Sequence, residues 1–364
     1  MNCIMKKILI PLLSGLLLLS SGLSLAQTRV VKTNAMKSND YGVQYFLPKT
    51  VLKMEVNYSK ITQQAGTYAR YAGKLLGMNE TDIIQENQTL YVLNSISIEG
   101  VGVPDKNESY LVAFKTKTTA PFVYLTEEGL ICTINAEYTP ETPKTRPASK
   151  ETALVNTIDV QSLFTEEYLQ AGSVSKMAEV LAKQIYRIRE SRNDILLGEA
   201  ENAPRDGEGM RIVLNNLEAQ EKALTELFTG TTSRMEESAR FEIEPHSDIS
   251  KEVLFRFSKY GGVVDSDDLS GSPVYINVKA IEPIPAPLVD AKRKEKEPLS
   301  IVYNIPVKSS VEVFYSDREM CREEILIAQF GEKQILATSI FEDKKVPTQV
   351  FFYPATGAIK QVVQ

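Results

Sequence analysis

Val174-Ser175-Lys176-Met177-Ala178-Glu179-Val180-Leu181-Ala182-Lys183-Gln184-Ile185-Tyr186-Arg187-Ile188 opens the stretch that decides the fold, and that stretch runs on to Phe228. Val174, Met177, Ala178, Leu181, Ala182, Ile185, Ile188, Ile195 and Leu196 recur in steps of three and four. Lys176, Glu179, Lys183, Arg187, Glu190 and Asp194 fall on the other side, so the spacing predicts an amphipathic helix. Ser173 or Ser175 can cap its start and Gly198 suits its end. Ala203-Pro204-Arg205-Asp206-Gly207 breaks the pattern. Met210, Val213, Leu214, Leu217, Leu224, Leu227 and Phe228 then form a second stripe, closed by Gly230. A short polar connection between two striped helices predicts an antiparallel pair. Ala178, Ala182, Ile188 and Leu214 widen the stripes beyond what the pair buries on itself, so the surplus is expected to pack on a sheet. Periodicity serves two readings equally: a hairpin that is core architecture, and a projecting arm that binds a partner through residues such as Arg187, Arg189 and Arg192.

Both flanks read as β-structure. In Thr50–Ser59, Leu52, Met54, Val56 and Tyr58 alternate with Lys53, Glu55, Asn57 and Ser59, the mark of a half-buried strand. Ala65–Leu76 has helical spacing with Gly77 as its stop. Its Tyr68 and Tyr71 read either as packing residues or as a ligand platform. Strands are expected at 90–93, 95–101, 110–115, 122–125 and 130–136, the last two joined by the turn Thr126-Glu127-Glu128-Gly129. Further strands are expected at 241–244, 253–257, 274–278, 300–305, 311–315, 325–330, 334–338, 349–353 and 358–363. Residues 139–152 read as a linker and Lys292–Glu297 as a solvated loop. The expected class is α+β: two antiparallel, sandwich-like β-rich regions with an inserted antiparallel helical hairpin. The segments are 1–26, 27–160, 161–230 and 231–364.

Residues 1–26 have the form of a secretory signal peptide. Lys6 and Lys7 precede the apolar run Ile8–Leu19, and Ser24-Leu25-Ala26 supplies small residues for cleavage. No cysteine follows that run in a lipid-attachment position, and Cys3 lies too early. The expected address is therefore exported, in the periplasm or at the outer membrane, without lipidation. An uncleaved anchor is the minor alternative, and no other stretch is long and apolar enough to span a membrane. With 41 Lys and Arg against 47 Asp and Glu, no basic excess draws nucleic acid.

The residue types limit the chemistry. His246 is the sole histidine and sits in the polar turn Glu244-Pro245-His246-Ser247-Asp248, so a Ser–His–Asp or Cys–His site would have to use it. One histidine and few cysteines disfavour zinc. Asp265, Asp267 and Asp268 are weak calcium candidates, but their spacing departs from the EF-hand loop. No glycine-rich phosphate loop occurs, and no cofactor is expected. Cys132 and Cys321 stand either as thiols or as one bridge. Tryptophan is absent, which weakens a sugar-binding reading, although 16 tyrosines could supply the stacking faces.

Several segments together resemble an uncharacterised family of secreted envelope proteins from Gram-negative gut and oral bacteria, a domain of unknown function. They are Tyr45-Phe46-Leu47-Pro48-Lys49-Thr50, Gly66–Gly77, Ile185–Asp194 and Tyr353-Pro354-Ala355-Thr356-Gly357. The resemblance implies an envelope address and brings no catalytic residue with it. The leading expectation is a non-enzymatic interaction or scaffold protein that binds another envelope protein. The alternative is a carbohydrate-binding or glycan-processing protein that uses tyrosines and carboxylates.

Overall fold

A computed structural model describes residues 29–32, 42–113, 122–139, 158–200, 204, 206–283, 301–336, 340 and 348–364. The signal segment 1–26, nearly all of the 139–152 linker and the Lys292–Glu297 loop lie outside the described residues.

The spine is β2 (Gly42–Gln64), a strand of 23 residues spanning roughly 75 Å at about 3.3 Å per residue. It pairs antiparallel with β3 (Gln88–Ala113) on one side and β6 (Thr231–Ile243) on the other. With β1 (Arg29–Lys32) these form a sheet in the order β1-β3-β2-β6. The alternation across Thr50–Ser59 sets the faces. Leu52, Met54 and Val56 are buried inward, while Lys53 and Glu55 look outward toward Glu242 and Arg240 of β6.

Along its length β2 enters two apolar clusters. In its first third Tyr45 and Leu47, with Tyr110 and Val112 of β3, pack on Ile131, Ile134, Val350 and Phe352. Those four belong to a sheet in the order β13-β12-β5-β4, built from β4 (Val123–Leu125), β5 (Ile131–Ile134), β12 (Gln349–Tyr353) and β13 (Ala358–Val363). The middle third packs on a five-stranded sheet in the order β11-β10-β9-β7-β8. Its strands are β7 (Ile249–Ser258), β8 (Gly262–Val264), β9 (Ser272–Ala280), β10 (Ile301–Tyr315) and β11 (Arg318–Leu336). Phe255, Phe257, Ile276, Val311, Val313 and Phe330 fill that second core. The far end of β2 leads into the helices.

The class is α+β, with antiparallel sheets layered as sandwiches and a helical hairpin between β5 and β6. The β-regions before and after the hairpin do not form separate sheets. β6 adds to the N-terminal β2, and β12 pairs Val350 and Phe351 with Ile134 and Thr133 of β5. Residues at the two ends of the chain thus share cores.

Several strands expected to be separate are single long strands with bulges. Asn94 is the extra residue where β3 slips against β2, since Tyr58 faces Leu93 and Asn57 faces Ser95. At Ile305/Val307 the ladder between β10 and β11 is broken more widely, Ile305 facing Glu332 and Val307 facing Ile327, beside Gly331. A Cβ on Gly331 would lie 1.7 Å from the Ile305 carbonyl oxygen, so the backbones meet closely there. A polar or glycine break inside an alternating run reads as a turn, yet an extra residue within a continuing ladder has the same composition.

Candidate functional site

The helices are built as their sequence directs. Ser173 caps α3 (Val174–Leu197) by accepting a hydrogen bond from the Lys176 N–H, and Gly198 ends it with a left-handed backbone. Asp206 caps α4 (Gly207–Thr229) by accepting from Gly209 N. Near the body, Ala178, Leu181, Ala182, Ile185 and Ile188 of α3 meet Leu224 and Phe228 of α4. The remaining wall is α1 (Ala69–Leu76), through Ala72 and Leu76, joined by Tyr68 and Ile83. The surplus of the stripes therefore packs on a third helix and its flanks, not on a sheet as expected. Alanines at Ala72 and Ala178, both without exposure, let the helices approach.

Away from the body the hairpin changes character. Among its described residues none beyond Ile188 in α3 and none before Ala223 in α4 is buried. Roughly 14 Å of α3 therefore extends as an arm, at 1.5 Å per residue. Leu196, Leu197 and Ile212 are 65%, 63% and 51% exposed. Arg189 and Arg192 clamp the base of this arm, reaching the two carboxylate oxygens of Glu221 at 2.7 and 2.9 Å. Of the three arginines put forward as binding residues, two are thus spent on the hairpin itself, and Arg187 is exposed.

The tyrosine platform is not formed by the two tyrosines named for it. Tyr68 is 3% exposed, meets the Phe228 ring at a tilt of 42°, and shares a 2.7 Å hydrogen bond with the Tyr168 hydroxyl of α2 (Glu166–Leu169). Tyr71 is half-buried beside it in the same cluster. Burial and the Tyr168 oxygen hold the Tyr68 phenol well above its usual range. Both tyrosines serve packing.

The acidic turn divides. Asp268 accepts from Ser270 N, and this holds its carboxylate below the usual range. Asp265 and Asp267 instead line a shallow hollow of about 360 Å³ over Phe241 and Phe255. Among the described residues no group of three or more His, Cys, Asp and Glu is placed to hold a metal ion. His246 is exposed, 3.8 Å from Glu244. On the outer face of the β2 sheet the buried Ser59 hydroxyl meets Glu236, Asn94 and Arg234 at 2.7–3.0 Å. Those contacts occupy the hydroxyl with cross-strand bonds.

A second concave surface lies between β5 and β12. It is a cleft of about 450 Å³ whose walls include Cys132, Glu137, Tyr138, Phe351, Tyr353 and Lys360. Apart from Cys132 and Tyr353, none of these stood out in the sequence. The cleft exists only through the pairing of residues more than 200 positions apart, and Tyr353 within the family-like closing segment was its sole local signal.

Cys132 and Cys321 are thiols, on different sheets, so the bridge expected as an alternative is not formed. The strand order explains this, since Cys132 lies in β5 while Cys321 pairs with Val313 across β10 and β11. Burial pushes the Cys132 thiol up to about 11, and the Tyr138 hydroxyl offsets this in part. The folded state therefore prefers the protonated thiol. That contribution is complete below the unfolded thiol's pKa, near 9, and is lost as pH rises toward 11. A thiol reagent at pH 8, on protein lacking residues 1–26, is expected to leave Cys132 unmodified until guanidinium unfolds the chain. After unfolding, and without reductant, both thiols will react; rapid labelling of native Cys132 would contradict its burial.

The segments that carry the family resemblance meet at chain crossings. Gly66 passes so close to α4 that a Cβ would lie 2.5 Å from the Leu227 carbonyl oxygen. Pro48 and Thr356 both offer carbonyls to the buried Asn304 amide. Among the described residues no helix is long and apolar enough to cross a membrane. No curated protein and no solved structure matches the chain. A family model does match, over residues 41–360, from the start of β2 into β13, and the chain belongs to that family, described as Domain of unknown function (DUF4831).

Proposed function

We propose that this protein is a non-enzymatic interaction protein of the bacterial cell envelope, and that the distal half of its helical hairpin takes another exported protein. One observation carries the reading: the hairpin runs on past its packed base and holds Leu196, Leu197 and Ile212 in solvent. Apolar side chains exposed along a helical arm lose water only against a second surface. The fitting partner therefore offers an apolar patch of its own. The signal-peptide form of residues 1–26 supports the address.

A photo-crosslinker at Asn193 tests the reading. The expected result is one dominant crosslinked envelope protein, lost when Leu196→Glu and Ile212→Glu are combined. Because both side chains are exposed, that double variant should melt within about 2 °C of the parent. An unchanged set of crosslinked proteins in the double variant would remove the arm from the function.

A further inference from the structure

The cleft between β5 and β12 does not depend on the arm, and its walls combine features that a sugar ring requires. Tyr353 is 46% exposed, although Phe352 beside it is 2% exposed in the core. The ring does not hang on a loose loop. The Tyr353 carbonyl accepts hydrogen bonds from Thr356 N and Gly357 N at 3.1 and 2.7 Å, closing the turn on itself. Gly102 of β3 lets that turn seat, for a Cβ there would fall 2.3 Å from the Ala355 carbonyl oxygen. An aromatic face fixed on a rigid turn and left in water costs hydrophobic burial that a ligand can recover.

The polar groups converge on the same cleft. β12 and β13 slip by one residue, Phe351 facing Gln361 and Phe352 facing Ile359, so Lys360 is the extra residue of a bulge. Bulges re-aim side chains. This one sets the Lys360 ammonium over the face of the Tyr353 ring, 5.4 Å from its centre, at the end of a flexible stem that a ligand can move aside. Glu137 and Tyr138 reach the cleft from the end of β5, and Phe351 adds a second aromatic wall. The volume falls within the roughly 300–1,000 Å³ of small-molecule sites.

We propose that this cleft binds a neutral saccharide, one pyranose ring taking the place over Tyr353 that the Lys360 ammonium otherwise holds, with its hydroxyls hydrogen-bonded by Glu137 and the displaced Lys360. The C–H groups of a pyranose face carry slight positive charge and suit the electron-rich face of the phenol ring. A carboxylate and an ammonium together accept and donate to hydroxyls, and their opposite signs favour an uncharged ligand over a polyanion. The step is binding alone, with no bond made or broken.

Saturation-transfer NMR on the folded chain tests this with maltose, cellobiose and di-N-acetylchitobiose as probes and heparin as the polyanion control. The expected result is transfer to the ring C–H protons of at least one disaccharide and none to heparin. Tyr353→Ala should weaken that binding by at least about tenfold, while Tyr353→Phe, which keeps the ring, retains it. Glu137→Gln should weaken it less than the loss of the ring. Unchanged melting of Tyr353→Ala would show that the loss is local. No transfer from any of the three disaccharides, equal binding by Tyr353→Ala, or preferential binding of heparin would overturn the proposal.

Discussion

Gly230→Ala will lower the melting temperature by about 10 °C. Gly230 ends α4 with φ +85° and ψ 179°, a backbone region that side chains avoid. A Cβ there would also lie 2.3 Å from the Gln64 carbonyl oxygen and 3.1 Å from Gly66 N. Those neighbours are backbone, so relief requires moving β2 or α4 as a whole. Strain and displacement together cost about 3–5 kcal/mol. Gly77→Ala separates the two terms, because Gly77 has φ +66° with nothing within 4 Å of its Cβ position. It should cost only about 1 kcal/mol. Calorimetry on both variants decides the matter, and equal losses would mean that the crossing of β2 and α4 is not tight. The arm depends on this crossing, since Gly66 and Gly230 stand where the chain enters and leaves the helical layer.

Periodicity and caps made the helices legible. Each turn of α3 and α4 is set by residues three and four apart, and Ser173, Gly198 and Gly230 act within one turn of where they stand. The alternation of Thr50–Ser59 likewise gave the inward and outward faces of β2. The extent of the strands was less legible. Asn94 and Gly331 look like breaks in sequence, while in the sheet they are places where a ladder absorbs an extra residue or two backbones touch. The local hairpin of β4 and β5 was legible from its turn, but the distant pairings were not, because β6 joins β2 and β12 joins β5 across the whole helical insertion. The candidate surfaces divide the same way. The arm was visible as one of two readings of the stripes, and its outer half could be told from its base only once α1 was seen to cover the base alone. The cleft was invisible, since Glu137 and Lys360 have no relation in sequence and lie together only through β5 and β12.

Asn304→Leu should cost about 2–4 kcal/mol, although the side chains are close in size. Asn304 is 4% exposed, and its amide nitrogen donates to the Pro48 carbonyl at 3.0 Å and to the Thr356 carbonyl at 3.1 Å. Its backbone N–H donates to the Gly357 carbonyl at 3.1 Å, a bond the substitution keeps. Leucine offers no donor, so two buried carbonyls lose their partner, and each such loss costs about 1–3 kcal/mol. The damage is expected to be local before it is global, because the two bonds of the Asn304 amide join β2 to the turn that carries Tyr353. Hydrogen exchange can resolve this: the Thr356 and Gly357 amides, both bonded to the Tyr353 carbonyl, should exchange faster, while the α3 amides keep their protection. If the amides of α3 and of the closing turn lose protection together, the junction supports the whole fold and not this corner of it. If the turn stays protected, the two carbonyls have found other donors and Asn304 is not what seats Tyr353 at the cleft.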